Sequence, residues 1–397
     1  MPREEIIRVA ARGDGVTASG LHVPLAAPGD HIAEDNAIEP GPHHRVPPCR
    51  HFPLCGGCQL QHLDDESYAN YLADRILSAL AAQGLDAPVL CPAHLSPPNS
   101  RRRASLRAER RGRRVLLGFN AEASHRIVDM HECHVLRPEL FALVAPLRGL
   151  LGALLPERGS AGVRMTLTDQ GVDLLLEKVA AEGLEADEAL TNFARAHGLA
   201  RLALDDGYGA QTRWEPEPVT VTLGGIGVPL PHAAFLQATA EGEAALVAAV
   251  REAVGEAKTV ADLFAGLGTF AFALPGRLYA AEGSRDAVLA LKSAANRAGR
   301  PIFADHRDLF RRPLDAAELG RFEAVVLDPP RAGAREQAIL LAASPVPRIA
   351  SISCNPATFA RDAKILIEGG YRLDWVKPVG QFRWSTHVEL VARFSRG

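Results

Sequence analysis

After about residue 235, short apolar runs alternate with stretches whose apolar positions recur at helical spacing. The pattern predicts a helix over 239–254, followed by apolar strands that each lead into a helix or a loop. The predicted strands begin at Val260, Leu278, Ile302, Ala324 and Ile349. A helix is expected directly after Gly268, and the chain closes with a hairpin-like pair of strands. This alternation is typical of a doubly wound α/β fold, so residues 236–397 are predicted to form a Rossmann-like domain.

The first 235 residues show a less regular pattern. Residues 1–45 alternate apolar and polar positions between Gly-rich turns, which predicts short strands in a small β-barrel-like segment. A Pro-rich linker follows, and helical spacing then runs over 64–83. Farther along, strands alternate with helices expected near 138–155 and 182–197, in an order too irregular for repeated βαβ units. We therefore expect a central α+β domain over 46–235.

Composition narrows the class of protein. The 397 residues, 47% hydrophobic and 23% charged, suit roughly two or three globular domains and exclude a mostly disordered chain. Six cysteines are too dilute for a disulfide scaffold, and no apolar run approaches the roughly 18 residues of a membrane span. The N-terminus lacks the basic and apolar stretches of a signal peptide. We expect a soluble, cytoplasmic monomer without a membrane partner.

The net charge of −3 conceals one strongly basic segment. Residues 101–114, RRRASLRAERRGRR, hold eight arginines and one glutamate. Such a run is commonly a solvated surface, but arginine also offers planar, bidentate donors that suit phosphate. Because the alternating pattern continues from Val115 to Phe119, we expect the run on an ordered hairpin. Solvation and phosphate binding both stay open from this segment alone.

A ligand site is predicted where the apolar strands end. One strand ends in Gly266-Leu-Gly268, where glycines let the backbone approach a ligand closely. Glu282 closes the next strand and can accept from ribose hydroxyls, Asp328 follows a third strand, and Asp308 lies where an adenine amino group would be contacted. A dinucleotide and S-adenosylmethionine are the candidate ligands. The three-glycine phosphate fingerprint is absent, which favours S-adenosylmethionine.

A cysteine and a glutamate are the candidates for covalent chemistry. Cys354 follows the apolar strand 349–352 and precedes Asn355-Pro356, at the sheet edge predicted for the ligand. An isolated cysteine is more often a small buried apolar residue, and Glu389 could equally be a solvated strand carboxylate. A nucleophilic thiol with a general base would indicate covalent addition followed by proton removal.

Four motifs, in the order LFAGLGTF, LDPPRAG, SISCNPATFARD and STHVE, resemble the RNA 5-methyluridine methyltransferase family. The resemblance covers about residues 46–397. It implies that S-adenosylmethionine methylates a uridine in RNA, with Cys354 as the nucleophile and Glu389 as the base that removes the carbon-5 proton. The cofactor-binding positions it implies are Gln237, Phe264, Gly266, Gly268, Thr269, Glu282, Asp308 and Asp328. Thr269 departs from the asparagine of many members.

The other cysteines point to a metal centre. Cys49, Cys55 and Cys58 lie within ten residues as C-x₅-C-G-G-C, and the fourth ligand has to come from Cys91 or Cys133. Spacing alone leaves zinc and an iron–sulfur cluster open, and the histidines that flank Cys133 would also fit zinc. Resemblance to the iron–sulfur subgroup implies a [4Fe–4S] cluster on Cys49, Cys55, Cys58 and Cys133. Its role would be structural or RNA-positioning, because methyl transfer needs no electrons.

The resemblance also narrows the RNA partner. The cluster cysteines favour the 23S rRNA branch, while archaeal-type enzymes with similar clusters keep uridine 54 of tRNA open. Residues 1–45 resemble a truncated TRAM (OB-like) RNA-binding barrel, and Phe382 and Trp384 either stack on RNA or pack in the core. A non-catalytic RNA-binding relative would dispense with Cys354 or Glu389. An amino-methyltransferase using Asp-Pro-Pro would have no use for Cys354.

Overall fold

The computed structural model describes residues 4–33, 35 and 37–397. The first strands are β1 (Glu4–Val9), β2 (Gly15–Thr17), β3 (His22–Val23), β4 (His31–Ile32) and β5 (Ile38–Glu39). They pair antiparallel in the order β3-β2-β1-β4-β5 around a small core of Ile6, Ala26 and Ile32. These short strands confirm the pattern predicted for 1–45, of which residues 1–3, 34 and 36 lie outside the described residues.

The helix predicted over 64–83 is confirmed as α1 (Asp65–Ala82). Asp64 caps it, because its side chain accepts from the N–H of Ser67 at 2.8 Å and satisfies a backbone donor of the first turn. Two short strands follow, β6 (Val89–Leu90) and β7 (His94–Leu95).

The central region is a mixed sheet with helices. Its strands are β8 (Arg103–Arg111), β9 (Arg114–Gly118), β10 (Ser160–Thr168), β11 (Gly171–Glu177), β12 (Arg201–Asp205) and β13 (Gln211–Trp214). The helices are α2 (Pro138–Phe141), α3 (Val144–Leu154) and α4 (Leu184–Ala196). The strand order is β13-β12-β11-β10-β8-β9, with β11 and β12 parallel and the other neighbours antiparallel. The β8–β9 pair is the hairpin predicted for the arginine run.

A small hairpin, β14 (Thr220–Leu223) and β15 (Ile226–Pro229), leads into the C-terminal domain. The helices there are α5 (Ala240–Val254), α6 (Arg285–Arg297), α7 (Ala316–Leu319), α8 (Arg335–Ala342) and α9 (Pro356–Glu368). The strands are β16 (Thr259–Leu263), β17 (Arg277–Glu282), β18 (Ile302–His306), β19 (Ala324–Leu327), β20 (Arg348–Ser353), β21 (Arg372–Gly380) and β22 (Glu389–Ser395).

The C-terminal sheet has the order β18-β17-β16-β19-β20-β22-β21-β6. The first five strands in this order, from β18 through β16 to β20, run parallel, and β22 pairs antiparallel with both β20 and β21. The α/β fold predicted for 236–397, with its closing strand pair, is therefore confirmed. Reversal of the strand order next to β16 opens the crevice in which such sheets bind ligands.

The helix predicted directly after Gly268 is wrong. Residues 264–276 form a series of turns, in which the N–H of Phe272 donates to the Gly268 carbonyl at 2.9 Å. Pro275 and Gly276 end this segment before a full helical hydrogen-bond ladder forms.

The sheets depart from the predicted domain limits in the first half of the chain. Strands β6 and β7 add to the edge of β21 in the C-terminal sheet, and α1 packs against α9 and β21. Tyr68, Leu72 and Ile76 of α1 share one core with Phe359 and Leu390. Much of the first part of the region predicted as 46–235 thus belongs structurally with the C-terminal sheet. No helix in the described part of the chain has the length and apolarity needed to cross a membrane.

Candidate functional site

The predicted ligand residues leave the C-terminal sheet side by side. Leu263 of β16 is aligned with Ala281 of β17 and Leu327 of β19, so the residues that follow them share one edge. These next residues are Phe264, Glu282 and Asp328. We call this edge, together with Gly266, Cys354 and Glu389, the strand-end site.

Backbone conformation shapes the loop after β16. Phe264 has φ of 64°, a left-handed conformation that is uncommon for a side chain with a Cβ and concentrates at functional sites. Gly266 has φ of 56°, and a Cβ built there would meet no atom within 4 Å. The N–H of Gly266 donates to Glu282 at 2.9 Å, and the N–H of Ser284 donates to the other Glu282 oxygen at 2.6 Å. The loop is therefore tied to β17 while its outer surface stays open.

Aromatic and polar groups flank this open surface. The rings of Phe264 and Phe310 lie 5.4 Å apart at 55°, and Phe310 is half exposed. Asp308 lies beyond the end of β18 and accepts from the N–H of Phe310 at 3.0 Å. Thr269 is half-buried in the turns after Gly268. Phe310 carried no signal in the sequence beyond being an aromatic residue in a loop.

Three carboxyls near this edge are biased towards their neutral forms. Burial, with Asp328 close by, raises the pKa of Asp262 to about 8. Burial and Glu282 raise the pKa of Asp328 to about 7, and burial and Asp328 raise that of Glu389 to about 8. Each negative charge in this group makes it harder for the next carboxyl to ionise. A bound cation would therefore stabilise the ionised carboxylates.

Cys354 and Glu389 lie opposite each other at the ends of the neighbouring strands β20 and β22. The pairing of β20 with β22 ends with Ser353 opposite Leu390, so the residues beyond that pair are Cys354 and Glu389. Burial and the carboxyls of Glu389 and Asp328 raise the pKa of Cys354, and Arg331 opposes the shift. The free protein therefore holds Cys354 as a thiol. The nucleophile and base predicted from the sequence are brought together with the cofactor positions.

Gln381 connects these residues and was missed in the sequence. It lies just after β21, buried, and its side-chain oxygen accepts from the N–H of Ala238 at 2.8 Å. Its side-chain nitrogen donates to Gln237 Oε1 at 2.8 Å and also to Glu389. Nothing in its spacing from Glu389 marks it, because the contact depends on the bend between β21 and β22.

A cleft of about 400 Å³ opens beside this network, between the central sheet and the C-terminal domain. We call it the arginine cleft; Arg101, Arg103, Phe119 and Phe382 are among its walls. The guanidinium of Arg101 lies 5.1 Å from the ring centre of Phe382. Trp384, by contrast, is buried and packs with Cys58, so of the two aromatic candidates only Phe382 lines the cleft.

The arginine run divides into two functional groups. Arg101 and Arg103 line the arginine cleft, and Arg102 donates to Glu243 at 2.5 Å and to the Gln237 carbonyl at 3.0 Å. Burial and the neighbouring Arg101 lower the pKa of Arg103 to about 10, whereas Glu389 opposes the shift. The remaining arginines lie on the hairpin, where Arg107, Arg111, Arg113 and Arg114 are exposed. The eight arginines of the run therefore do not form one continuous surface patch, because the first three lie at or beside the cleft and the others on the hairpin.

The four cysteines expected to hold a cluster line one small, largely enclosed cavity, here called the cysteine cavity. Cys49, Cys55 and Cys58 reach it from one loop, and Cys133 from a second loop. Cys91 instead lies beside β6, where its N–H donates to Val376. Within the described residues, no three or more His, Cys, Asp and Glu side chains are arranged to hold a metal ion.

Three residues lie between the cysteine cavity and the arginine cleft. Arg101, Phe119 and Gly57 line both spaces. The backbone of Arg101 also bridges to Leu136 and to Thr239, which is the N-terminal cap of α5. The cavity, the cleft and the start of the C-terminal domain therefore meet at Arg101.

Comparisons with known proteins bear on this arrangement. Residues 302–395 match the family model for tRNA (uracil-5-)-methyltransferase. The chain is 57% identical to an uncharacterized RNA methyltransferase of Zymomonas mobilis, over 99% of this chain and 100% of that relative. It is 34% identical to the 23S rRNA (uracil(1939)-C(5))-methyltransferase RlmD of Chromohalobacter salexigens, over 92% of this chain and 79% of that relative.

One solved structure matches almost the whole fold. It is the tRNA (uracil-54, C5)-methyltransferase of Pyrococcus abyssi in complex with S-adenosyl-L-homocysteine. The TM-score is 0.74 at 24% sequence identity, over 99% of this chain and 100% of that chain. This likeness concerns the fold, which includes the N-terminal strands and the central sheet.

Proposed function

Because the chain belongs to the RNA uracil-C5 methyltransferase family, we propose that it methylates carbon 5 of a uridine in RNA with S-adenosylmethionine. The observation that carries this proposal is the meeting of Cys354 and Glu389 at the edge that also bears Phe264, Glu282 and Asp328. Neither the non-catalytic alternative nor the amino-methyltransferase accounts for that meeting.

The proposed reaction uses these two residues in sequence. The Cys354 thiol first loses its proton to solvent, and the resulting thiolate adds to carbon 6 of uracil. The electron pair of the 5,6 double bond moves into an enolate whose charge reaches carbon 5. Carbon 5 then takes the methyl group that the sulfonium supplies. Glu389 removes the carbon-5 proton, the double bond re-forms, and the bond from sulfur to carbon 6 breaks. The uridine has to leave its stack to lie between thiol and carboxylate.

The residues of the strand-end site fit S-adenosylmethionine. Open space over Gly266 admits a ligand close to the backbone, and each oxygen of Glu282 keeps lone pairs for ribose hydroxyls after accepting one N–H. The rings of Phe264 and Phe310 offer apolar faces to an adenine, with Asp308 beside them. The carboxyls of Asp262, Asp328 and Glu389 favour a ligand that carries a positive charge.

We place the RNA in the arginine cleft and infer 23S rRNA as the substrate. The cleft supplies guanidinium groups for phosphate and the half-buried ring of Phe382 for a base. One relative, that of Chromohalobacter salexigens, is named as a 23S rRNA methyltransferase, while the structural match is named as a methyltransferase of uracil 54 in tRNA. Transfer RNA therefore stays the alternative substrate.

We also propose that the cysteine cavity holds a [4Fe–4S] cluster. The four thiols surround one cavity whose walls include Phe119 and Val135. Four thiols around one cavity suit a single tetrahedral zinc ion as well as a cubane in which each thiolate binds a different iron. The C-x₅-C-G-G-C spacing, which resembles that of the iron–sulfur subgroup, is what favours the cluster. When bound, the cluster would cross-link the two cysteine loops beside Arg101.

The covalent step is tested by trapping RNA on the protein. Glu389→Gln should stop the reaction after methyl transfer and leave RNA attached to Cys354, seen as a band that survives denaturant. The double variant Cys354→Ser, Glu389→Gln is the matched control and should give no band. Absence of a band with rRNA and tRNA alike would count against the mechanism.

The substrate and the cluster are tested separately. Mapping 5-methyluridine in total RNA from a deletion strain and its parent should show one site missing in 23S rRNA; a missing tRNA site would establish the alternative. Anaerobic purification should give a brown protein with about four irons per chain. Zinc in place of iron would overturn the cluster assignment.

A further inference from the structure

The side chain of Gln381 is held at three points inside the protein. It is 1% exposed, and its two ends are distinguished by their partners. The N–H of Ala238 can only donate, so the carboxamide atom that faces it at 2.8 Å has to be the oxygen. The NH₂ group is therefore fixed towards Gln237 and Glu389, and each of its hydrogens has one acceptor.

This orientation determines how Gln237 can act. Gln237 Oε1 accepts from Gln381 at 2.8 Å, which leaves the Gln237 NH₂ group to donate to a ligand. Its carbonyl accepts from Arg102 at 3.0 Å, so the main chain is held as well. Gln237 is one of the positions that the family resemblance assigns to the cofactor.

The same NH₂ group acts on the base. Donation to a carboxylate stabilises its charged form, and the hydrogen bond from Gln381 opposes the rise in the pKa of Glu389. A planar amide cannot turn one N–H away without moving the other. A ligand that accepts a hydrogen bond from Gln237 therefore influences Glu389 through one rigid group, the side-chain amide of Gln381.

We propose that Gln381 is a positioning residue that links cofactor binding at Gln237 to the orientation and charge of the base Glu389. The inference rests on the proposed function, since it takes Gln237 as a cofactor contact and Glu389 as the proton acceptor. It goes beyond that function by assigning the coupling between the two sites to one side chain.

A purely structural role is the competing explanation. Gln381 packs closely at the start of α5, where a Cβ on Gly242 would lie 2.6 Å from Gln381 Cβ. Loss of packing or of buried hydrogen bonds would lower stability and activity by the same factor at every pH. The two roles are therefore separated by a pH profile rather than by activity at one pH.

The test uses two variants and a matched control on the full-length protein. Gln381→Met keeps the length of the side chain and removes its hydrogen bonds. Gln381→Glu keeps the shape and adds a negative charge beside Glu389. Gln337→Met is the control, because Gln337 is equally buried, is bonded at both ends to Leu314 at 2.9 and 3.0 Å, and lies outside the site.

Single-turnover methyl transfer to RNA is measured from pH 6 to pH 9.5, with S-adenosylmethionine affinity measured by calorimetry. In Gln381→Met the acid limb should move to higher pH, with a loss of roughly 10- to 100-fold near pH 7 that is largely recovered at pH 9. The affinity should weaken several-fold, and Gln381→Glu should move the acid limb farther still. Gln337→Met should keep the wild-type profile.

Two outcomes overturn the inference. One is a Gln381→Met profile parallel to the wild type, and the other is a Gln337→Met profile that moves as far as that of Gln381→Met. If Gln381→Met does not fold, the isosteric Gln381→Glu decides by the same criterion. Failure of the proposed function itself is distinguishable, since the wild-type protein would then form neither 5-methyluridine nor a covalent adduct.

Discussion

The strand-end site and the cysteine cavity are built in opposite ways. Phe264, Glu282 and Asp328 are placed by hydrogen-bonded strands whose register aligns them without any ligand. The cysteine cavity is lined from two loops that are joined by side-chain contacts, such as the N–H of His131 donating to the His51 ring at 3.0 Å, with no strand pairing between Cys58 and Cys133 among the described residues. We infer that the first is held by the hydrogen bonds of the sheet, while the second would gain stability from the proposed cluster.

The largest expected effect concerns the strand-end site. Cys354→Ala should lower methyl transfer by at least about 10³-fold, because no second cysteine lies at the strand-end site in the described part of the chain. Its thermal midpoint should stay close to that of the wild type, since Cys354 lies at a strand end and supports no hydrogen-bonded element. Activity is measured with tritiated S-adenosylmethionine and stability by calorimetry. A large drop in the midpoint would show that this site is not preformed.

A substitution in the cysteine cavity should have the opposite effect, lowering stability more than methyl transfer. Cys58→Ser should lower the free energy of unfolding by at least about 2 kcal/mol and remove most of the bound iron, because a lost ligand releases the cross-link between the loops. Some methyl transfer should survive. Denaturant titration and iron analysis provide the measurements. Cys91→Ser is the control and should leave both unchanged; equal loss in the two variants would contradict a role for the cavity.

Burial of the Asp262 carboxyl should make the free energy of unfolding depend on pH. In the unfolded chain Asp262 loses its proton near pH 4, but in the folded protein its pKa is about 8. Between these values the folded state binds more protons, so stability falls as the pH rises from about 4 to 8. Asp262→Asn cannot ionise and should flatten this slope.

Denaturant titrations at pH 6 and pH 8 measure the effect. The exposed Asp206→Asn should keep the wild-type slope. Saturating S-adenosylmethionine, with its positive sulfonium, should flatten the slope more than the neutral-sulfur S-adenosylhomocysteine does. Equal effects of the two ligands would show that these carboxyls do not interact with the sulfonium charge.

The smallest effect is expected on the hairpin. Arg113 is exposed at its end, so Arg113→Gln should weaken RNA binding by roughly two- to threefold and lower the salt dependence of log K by up to about one unit. Filter binding at several salt concentrations measures this. Arg111 is already paired with Glu109 at 2.8 Å, so Arg111→Gln should change the salt dependence less. The reverse ranking would place the RNA on another surface.

Strand periodicity and strand ends could be predicted from the sequence, and contacts between distant segments could not. The alternation of apolar strands located Glu282 and Asp328, because parallel strands bring their carboxyl ends to one edge. Gln381 could not be located, since its contact depends on the bend between β21 and β22. Likewise, helical spacing revealed the apolar face of α1, but not that this face would pack against α9 and β21, because that depends on how distant elements fold together.

The edge formed by β6 and β7 on β21 has a consequence for the synthesis of the chain. A ribosome adds roughly 5–20 residues per second, so the roughly 280 residues between Leu95 and Arg372 take about 15–55 s. During that time the apolar face of α1 and the two strands have no sheet to join. We expect nascent chains to bind holdase chaperones at this stage. Residues 236–397 expressed alone would expose the β21 edge and aggregate.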